Sequence, residues 1–559
     1  PHRRAHAGHP LPAVITTAPA RPAAARGLHT ADVAAVIVLA ATCVVALLTF
    51  RDFGMGWDDY AHAEYGGLLL RLYGSGFTDR RALSFVNLYA YGGGFDMLAA
   101  LAAKVLPFPL FETRRLVGAV IGIAGLAMTW RIARRLGGPL AGFVAVTLLA
   151  TCPLYVGHMF INPKDVPFAV AMLAATLGFV RAFSEYPHPT VPTTALLGLG
   201  LGLSFGTRVM GALAAVPAAA AFLLIIAAEA RRSDLRAALW RAGEFLLRLV
   251  PALVVAYALM ALIWPWSVVS PLNPLRALVY FSHFFEKPWK ELFEGALLSV
   301  AEMPRRYVPE LFALTTPELF WAFGIAGIVA ALAGAVQRDR PLNRRASLVF
   351  LAVSVVFPIA FTVVTKPAMY NGLRHFVFVL PPMAVLGGLV GALLAERFGG
   401  SARRKALIAA AVLAVGLAHA VIGMVRLHPY QYTYFNAVAG GLQAADGRFM
   451  RDYWGLSLKQ ASHSLLDALA ARGELATREH KVKVAICGPQ RPVRLALGKN
   501  YPTDWQPQGA DYAISLNEFY CAPLDAPVIA EVVRDGVVFA RIYDIRGRDI
   551  PSLLTLAPP

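Results

Sequence analysis

Ala31 to Phe50 (ADVAAVIVLAATCVVALLTF) leads within a few residues into Gly56-Trp57-Asp58-Asp59-Tyr60-Ala61-His62-Ala63-Glu64-Tyr65. The first part is long and apolar enough to cross a bilayer, which takes about 20 residues. The second places two adjacent carboxylates just beyond it. Ionised groups are costly inside hydrocarbon, so this pair is expected at the membrane surface. Carboxylates there suit proton-transfer chemistry on a lipid-borne substrate.

The rest of the chain agrees with a membrane bundle. Of 559 residues, 57% are hydrophobic and only 15% charged, against about 25% charged in soluble domains. The mean hydropathy is +0.56. The formal charge of +18 would suggest nucleic acid in a soluble protein. Here the positive charge falls in short connections between apolar runs, the pattern that sets membrane orientation. No basic patch interleaved with aromatics is present, so a nucleic-acid partner is not expected.

Eleven spans are predicted. They are Ala31–Phe50, Leu116–Trp130, Pro139–Val156, Val166–Phe183, two short spans within Thr193–Ala228 that meet near Arg208, Leu249–Trp266, Glu318–Val336, Ala346–Thr365, Phe376–Leu394 and Ala406–Val425. Arginine clusters at Arg131, Arg134 and Arg135, in Glu229–Arg248, at Arg338–Arg345 and at Arg397–Lys405 mark the cytoplasmic connections. This puts the N-terminus inside and the C-terminus outside. Residues 1–30 read as a disordered cytoplasmic tail and 31–425 as the transmembrane domain. The first outer loop, 51–115, carries two amphipathic pieces near Tyr60–Tyr73 and Leu88–Val105, suited to the interface plane.

From 426 to 559 the composition becomes that of a soluble domain. Leu456–Arg472 has helical periodicity, and Val482–Cys487, Ala513–Leu516 and Val537–Ile545 read as strands. A small extracytoplasmic α/β domain is expected. Cys487 and Cys521 both lie there, and in an oxidising compartment they would pair. Cys43 and Cys152 fall in or beside spans as packing residues. The fold class is therefore mainly α, a polytopic helix bundle with a small C-terminal α/β domain.

Several polar groups sit where the bilayer makes them expensive. Asp165, in Asn162-Pro163-Lys164-Asp165-Val166-Pro167, lies at a membrane edge; it could bind a substrate, orient Asp58, or cap a helix. Arg208 interrupts an apolar stretch; it suits a bidentate grip on phosphate or a structural pair with Asp58, Asp59 or Asp165. Lys366, Arg374 and His375 bracket an outer connection, where they could hold phosphate or snorkel to lipid headgroups. His62, Glu64, Asn162 and Lys164 are candidates for supporting an acceptor or the loops themselves. Arg305, Arg306 and Tyr307 are weaker candidates in a long loop. Asp452-Tyr453-Trp454-Gly455 and the aromatics after His428 could line a sugar site or form the junction between domains. No P-loop, Rossmann glycine fingerprint, HExxH or GxSxG is present, and no metal-ligand spacing is seen.

These residues resemble the GT-C superfamily of integral-membrane glycosyltransferases, in the branch (glycosyltransferase family 39-like) that holds protein O-mannosyltransferases and lipid A aminoarabinose transferases. The resemblance rests on Trp57-Asp58-Asp59 with His62, on His158 through Pro167, on Tyr370-Asn371-Gly372-Leu373-Arg374-His375, and on Asp452-Tyr453-Trp454-Gly455. The family's first-loop pattern is usually Asp-Glu, whereas this chain has Asp-Asp. A position that is often Lys in relatives is filled by Arg208.

The resemblance implies an inverting transferase of the bacterial cytoplasmic membrane, acting in the cell envelope. A polyprenyl-phosphate sugar, mannosyltransferase-like in class, would be the donor. The acceptor hydroxyl would belong to a protein, a lipid or an envelope glycan. Asp58 would be the general base, Asp59 and Asp165 would orient base or acceptor, and Arg208, Lys366, Arg374 and His375 would bind the donor phosphate. The superfamily varies in metal use, so no metal is assigned, although a divalent cation is compatible.

Two alternatives stand beside this. A flippase or transporter for a lipid-linked sugar would use the same basic groups without a general base, though no internal repeat of the kind seen in many transporters is visible. An assembly protein would act through its C-terminal domain, and its membrane charges would tolerate alanine.

Overall fold

The computed structural model describes residues 29–283 and 289–556. The expected N-terminal tail lies outside them up to residue 28. Helix α1 (Thr30–Thr49) is followed by α2 (Asp59–Gly74), α3 (Gly94–Ala102), α4 (Leu110–Ala150), α5 (Pro153–Ile161), α6 (Asp165–Ser184) and α7 (Val191–Thr207). Next come α8 (Ala215–Ala230), α9 (Leu235–Ile263), α10 (Trp266–Val269) and α11 (Asn273–Ser282). A hairpin of β1 (Lys290–Phe293) and β2 (Ala296–Ser299) precedes α12 (Tyr307–Thr315), α13 (Glu318–Val336), α14 (Leu342–Thr365), α15 (Leu380–Arg397), α16 (Ala402–Gly416) and α17 (Ala418–Leu427).

Among the described residues, eight helices are long and apolar enough to cross a membrane, or nine if α16 and α17, bent by 50°, form one span. The expected eleven runs lie mostly in helical backbone, and two features account for the difference in number. Helix α7 has only 17 residues, and it meets the segment leading into α8 at Arg208, as the interrupted Thr193–Ala228 run predicts. Helix α4 holds two predicted runs joined at Gly138, whose φ is +81°. Pro139 removes a backbone donor there and bars helical geometry at the preceding residue, and glycine accepts the left-handed turn that results.

Two expectations need correction. The run Pro139–Val156 is not one helix, because the chain breaks at Thr151–Cys152 between α4 and α5. The helix expected to begin at Leu249 begins instead at Leu235, so α9 takes in most of the arginine-rich segment Glu229–Arg248. Asp234 caps α9, its carboxylate accepting from Ala237 N–H at 2.8 Å.

Helix α15 is the centre of the bundle, buried along most of its length, and packs most extensively on α4 and α13. Outer helices turn apolar side chains outward, such as Leu48 of α1 and Leu247 and Tyr257 of α9. That is the expected surface of a bundle whose solvent is lipid. The basic clusters gather at one end of the bundle. The end of α1, the start of α6, the end of α7 and the approach to α15 come together at the other.

The predicted amphipathic pieces form α2 and α3 at that second end. The C-terminal domain also lies there. It contains α18 (Gly441–Ala445), α19 (Ser457–Arg472), β3 (Val484–Cys487), α20 (Gln490–Leu497), β4 (Thr503–Asp504), β5 (Tyr512–Leu516), β6 (Val528–Arg534) and β7 (Val537–Asp544). Its sheet has the order β4-β3-β5-β7-β6, with β3 parallel to β4 and β5 and the remaining pairs antiparallel. Cys487 and Cys521 form a disulfide. The junction with the bundle is polar and built around one carboxylate. Buried Asp452 accepts from Leu456 N–H and Ser457 N–H, both at 2.9 Å, and from the Tyr432 hydroxyl.

Candidate functional site

Asp58 occupies the turn just before α2. Its carboxylate lies 3.6 Å from Lys164 Nζ and 3.8 Å from Arg374 Nη1. Its side chain is 40% exposed, whereas Lys164 and Arg374 are nearly buried. Burial pushes the Asp58 carboxyl up, but Lys164 and then Arg374 outweigh it and hold it at about 2. Asp58 is therefore ionised at neutral pH and open to solvent.

Asp165 begins α6 and forms a 2.6 Å ion pair with Arg208, which follows the end of α7. It does not cap its helix. Asn162 Oδ1 instead accepts from Lys164 N–H (3.0 Å) and Asp165 N–H (2.7 Å), while Asn162 Nδ2 donates to Asp165 Oδ2 at 2.6 Å. The run Asn162-Pro163-Lys164-Asp165 thus delivers one cation to Asp58 and one carboxylate to Arg208. Three cations face two carboxylates in this cluster, which leaves one positive charge in excess.

Aromatic rings wall the cluster. Arg374 lies over Tyr370 at 4.6 Å and Trp454 at 5.0 Å, measured to ring centres. Its buried Nε has no hydrogen-bond partner. Tyr91 faces both Lys164 (4.8 Å) and Arg208 (5.9 Å). A close backbone approach brings Tyr91 there: a Cβ at Gly92 would lie 1.3 Å from the carbonyl oxygen of Gly206. His158, which burial lowers to about 4, lies 3.0 Å from the Tyr453 hydroxyl through Nε2 and 3.2 Å from Asn162 Nδ2 through Nδ1.

Asp59 and His62 belong to a second, buried network. Arg115 donates to both oxygens of Asp59, at 2.9 and 2.5 Å, and Gly56 N–H donates to Asp59 at 2.8 Å. His62 and Arg114 share Asp96, at 2.6 and 2.7 Å. Successive residues entering a helix point about 100° apart, so the neighbours Asp58 and Asp59 reach different partners. Glu64 is exposed on α2. Lys366 is exposed in left-handed backbone (φ +48°) at the end of α14. His375 packs its ring 5.1 Å from Tyr370, and its Nδ1 is buried without a partner.

The loop carrying Arg374 is tied down from the β1–α12 region. Buried Glu291 accepts from Asn371 N–H at 2.5 Å and from the Tyr307 hydroxyl at 2.5 Å. Tyr307 in turn accepts from Gly372 N–H at 3.1 Å. Sequence reasoning passed over Tyr91, Asp96, Arg114, Arg115 and Glu291. The spacing of Asp59 and His62 on one face of α2 was the available signal that partners should be sought for that face. Among the described residues, no group of three or more His, Cys, Asp or Glu side chains is placed to hold a metal ion.

The bundle with its C-terminal domain has the fold of a solved integral-membrane glycosyltransferase. Aminoarabinose transferase ArnT from Cupriavidus metallidurans, in its apo state, superposes with a TM-score of 0.51 at 15% identity, covering 91% of this chain and 97% of ArnT. The oligosaccharyltransferase of Archaeoglobus fulgidus, also in its apo form, gives 0.48 at 13% identity over 85% of this chain, which spans 65% of that longer protein. Mycobacterial arabinofuranosyltransferase AftD gives 0.42 at 16% identity, covering 91% of this chain and 39% of AftD. In sequence, residues 94–264 match the family described as dolichyl-phosphate-mannose-protein mannosyltransferase. No curated protein sequence matches the chain.

Proposed function

We propose that the protein is an inverting glycosyltransferase that moves a sugar from a polyprenyl-phosphate donor to a hydroxyl acceptor at the extracytoplasmic face of a bacterial cytoplasmic membrane. The observation that carries this reading is one solvent-accessible carboxylate, Asp58, beside two nearly buried cations in a cluster with a surplus positive charge. Asp58 takes the proton of the attacking hydroxyl, which becomes bonded to the anomeric carbon as the bond to the donor phosphate breaks. Lys164 and Arg374 face the phosphate oxygen that leaves with the bonding pair. Fixed charges in a partly dry site stabilise that developing charge without reorganising. As the phosphate engages these cations, their hold on Asp58 weakens and it becomes a stronger base.

Arg208, paired with Asp165, supplies the remaining positive charge near the phosphate, and Lys366 and His375 flank its entry. Asp165 and Asn162 orient the Lys164 backbone, and Asp59 fixes the turn that carries Asp58. His62 ties that turn to α3 through Asp96, and Glu64 faces the acceptor side. Domain 31–425 then carries the charged groups of the donor site, while domain 426–559 adds Tyr453 and Trp454 to its wall and faces the acceptor. The matched family is named for a polyprenyl-phosphate donor, and ArnT of C. metallidurans has been solved with undecaprenyl phosphate bound, which supports the donor class. Mannose is the first sugar to test, with protein, lipid and envelope glycan as acceptors.

The test is transfer of label from polyprenyl-phosphate sugars in membranes carrying wild type or Asp58→Asn. Transfer by wild type that stops in a folded Asp58→Asn chain, with donor still bound, supports the reading. Equal transfer by both removes Asp58 as the base. Movement of the lipid-linked sugar across the bilayer with no transfer by either chain favours a flippase.

A further inference from the structure

Beside the Asp58 turn, a cleft of about 290 Å³ opens between the start of α2 and the α20 region of the C-terminal domain. Its size lies near the lower end of small-ligand clefts, about 300–1,000 Å³. Trp57 and Trp505 form part of its wall, nearly parallel at 20° with ring centres 6.1 Å apart. That spacing admits no ring between them, so they present a joint aromatic platform. Gln490 holds the Trp505 indole: with its amide turned, its oxygen accepts from Nε1–H at 2.7 Å, while the Trp505 backbone N–H donates to Asp504 Oδ1 at 2.7 Å.

Two arginines face the same cleft. Arg491 lies 3.4 Å from the ring centre of Tyr60, a stack that uses the face of the guanidinium and leaves its N–H edge available. Arg494 donates to Thr503 Oγ1 at 3.2 Å. Among the described residues, neither arginine is ion-paired with a carboxylate, and no carboxylate lines the cleft. Trp57 precedes Asp58 in the chain, so this wall is covalently joined to the proposed base.

We propose that this cleft is an acceptor subsite for an anionic glycan, a saccharide bearing carboxylate or phosphate substituents. The apolar faces of sugar rings pack on aromatic platforms, while arginine pairs in bidentate fashion with carboxylate and phosphate oxygens. A cleft with two unpaired cations and no acid selects against neutral glycans through the charges left unpaired. The subsite rests on the transferase reading for its role, but its binding is separable from catalysis.

The test is a fluorescence or calorimetric titration of the full detergent-solubilised chain with tetragalacturonate, against the neutral maltotetraose, at 150 mM salt. Tetragalacturonate is expected to bind wild type and Asp58→Asn alike, and at least tenfold more weakly to Arg491→Gln/Arg494→Gln. The control pair Arg478→Gln/Lys499→Gln, both exposed on the same domain, should bind as wild type does. Trp505→Phe should retain the anion preference and weaken binding only modestly. Equal binding of maltotetraose, equal losses in the control pair, or equally tight binding of a tetraglutamate peptide would each overturn the proposal. Should Asp58→Asn retain transfer while the arginine pair discriminates as expected, the base assignment fails and the subsite stands.

Discussion

Replacing Arg374 with Gln removes the cation that has no fully matched partner. Its nearest carboxylate oxygen, on Asp58, is 3.8 Å away, a separation at which two full charges interact by about 4 kcal/mol at an effective dielectric of about 20. The 40% exposure of Asp58 screens that value, so the ground-state cost of the substitution should be small, about 1 kcal/mol. The donor phosphate would meet Arg374 in a drier setting, where losing one charged contact costs about 3 kcal/mol, roughly 150-fold in kcat/KM. Arg374→Lys keeps the charge but loses the planar stack on Tyr370 and Trp454, about 1 kcal/mol or roughly fivefold. The expected order is therefore wild type, then Lys, then Gln.

The same substitution has a signature in pH. Asp58 is held at about 2 partly by Arg374, so wild type should keep full kcat/KM down to about pH 4 as far as this group decides it. Without Arg374 the carboxyl rises toward the ordinary value near 4, and activity should begin to fall below about pH 5. Initial rates with a polyprenyl-phosphate sugar from pH 4 to 8 measure both effects, with donor held below KM. Unchanged kcat/KM in Arg374→Gln would refute the phosphate assignment. A loss of rate with no movement of the acid limb would refute the electrical link to Asp58.

Three further outcomes follow from other parts of the structure. Burial lifts Glu291 from 4.5 to about 7, so the folded chain holds a proton that the unfolded chain has released. The associated stability is full below about pH 4.5 and is lost as pH rises from there through 7, by about 3 kcal/mol; Glu291→Gln should flatten the fall in Tm between about pH 4.5 and 7.5, and a parallel fall in both proteins would contradict this. Arg208→Met removes the direct ion-pair partner of buried Asp165 and should destabilise by about 3–5 kcal/mol, with Arg208→Met/Asp165→Asn recovering much of that in thermal unfolding; equal instability of single and double variants would show that charge is not the cause. Replacing Cys487 and Cys521 with Ala opens a loop of 34 residues and should cost about 3–4 kcal/mol on the chain-entropy account, read as a lower Tm that reductant reproduces in wild type.

The bundle was legible because hydrocarbon imposes a length on every apolar run, and because charges in or beside such runs stand out. Asp58, Lys164, Asp165, Arg208 and Arg374 were each visible on that ground, and the structure gathers them at one end. Their pairing was less legible. Arg208 reaches Asp165 rather than either residue of the Asp58-Asp59 pair, and Asp59 turns to Arg115, 56 positions away, which no local spacing encodes. Tyr91 carries no charge and left no mark. In the C-terminal domain the three apolar strands were visible, whereas β6 was not, because irregular register at Val528/Ala530 and Val532/Val533 breaks the alternation that a strand presents.

Tyr453 and Trp454 come after the last membrane helix, yet they complete the surroundings of His158 and Arg374 inside the bundle end. The seam along which the polypeptide can be recombined therefore differs from the point where its composition changes. A chimera that exchanges everything beyond α17 for a relative's domain would import foreign side chains into the membrane site along with the new acceptor surface. One spliced after Gly455 would carry the native aromatic wall with the bundle, so that swapped acceptor domains could be compared on an unchanged donor site.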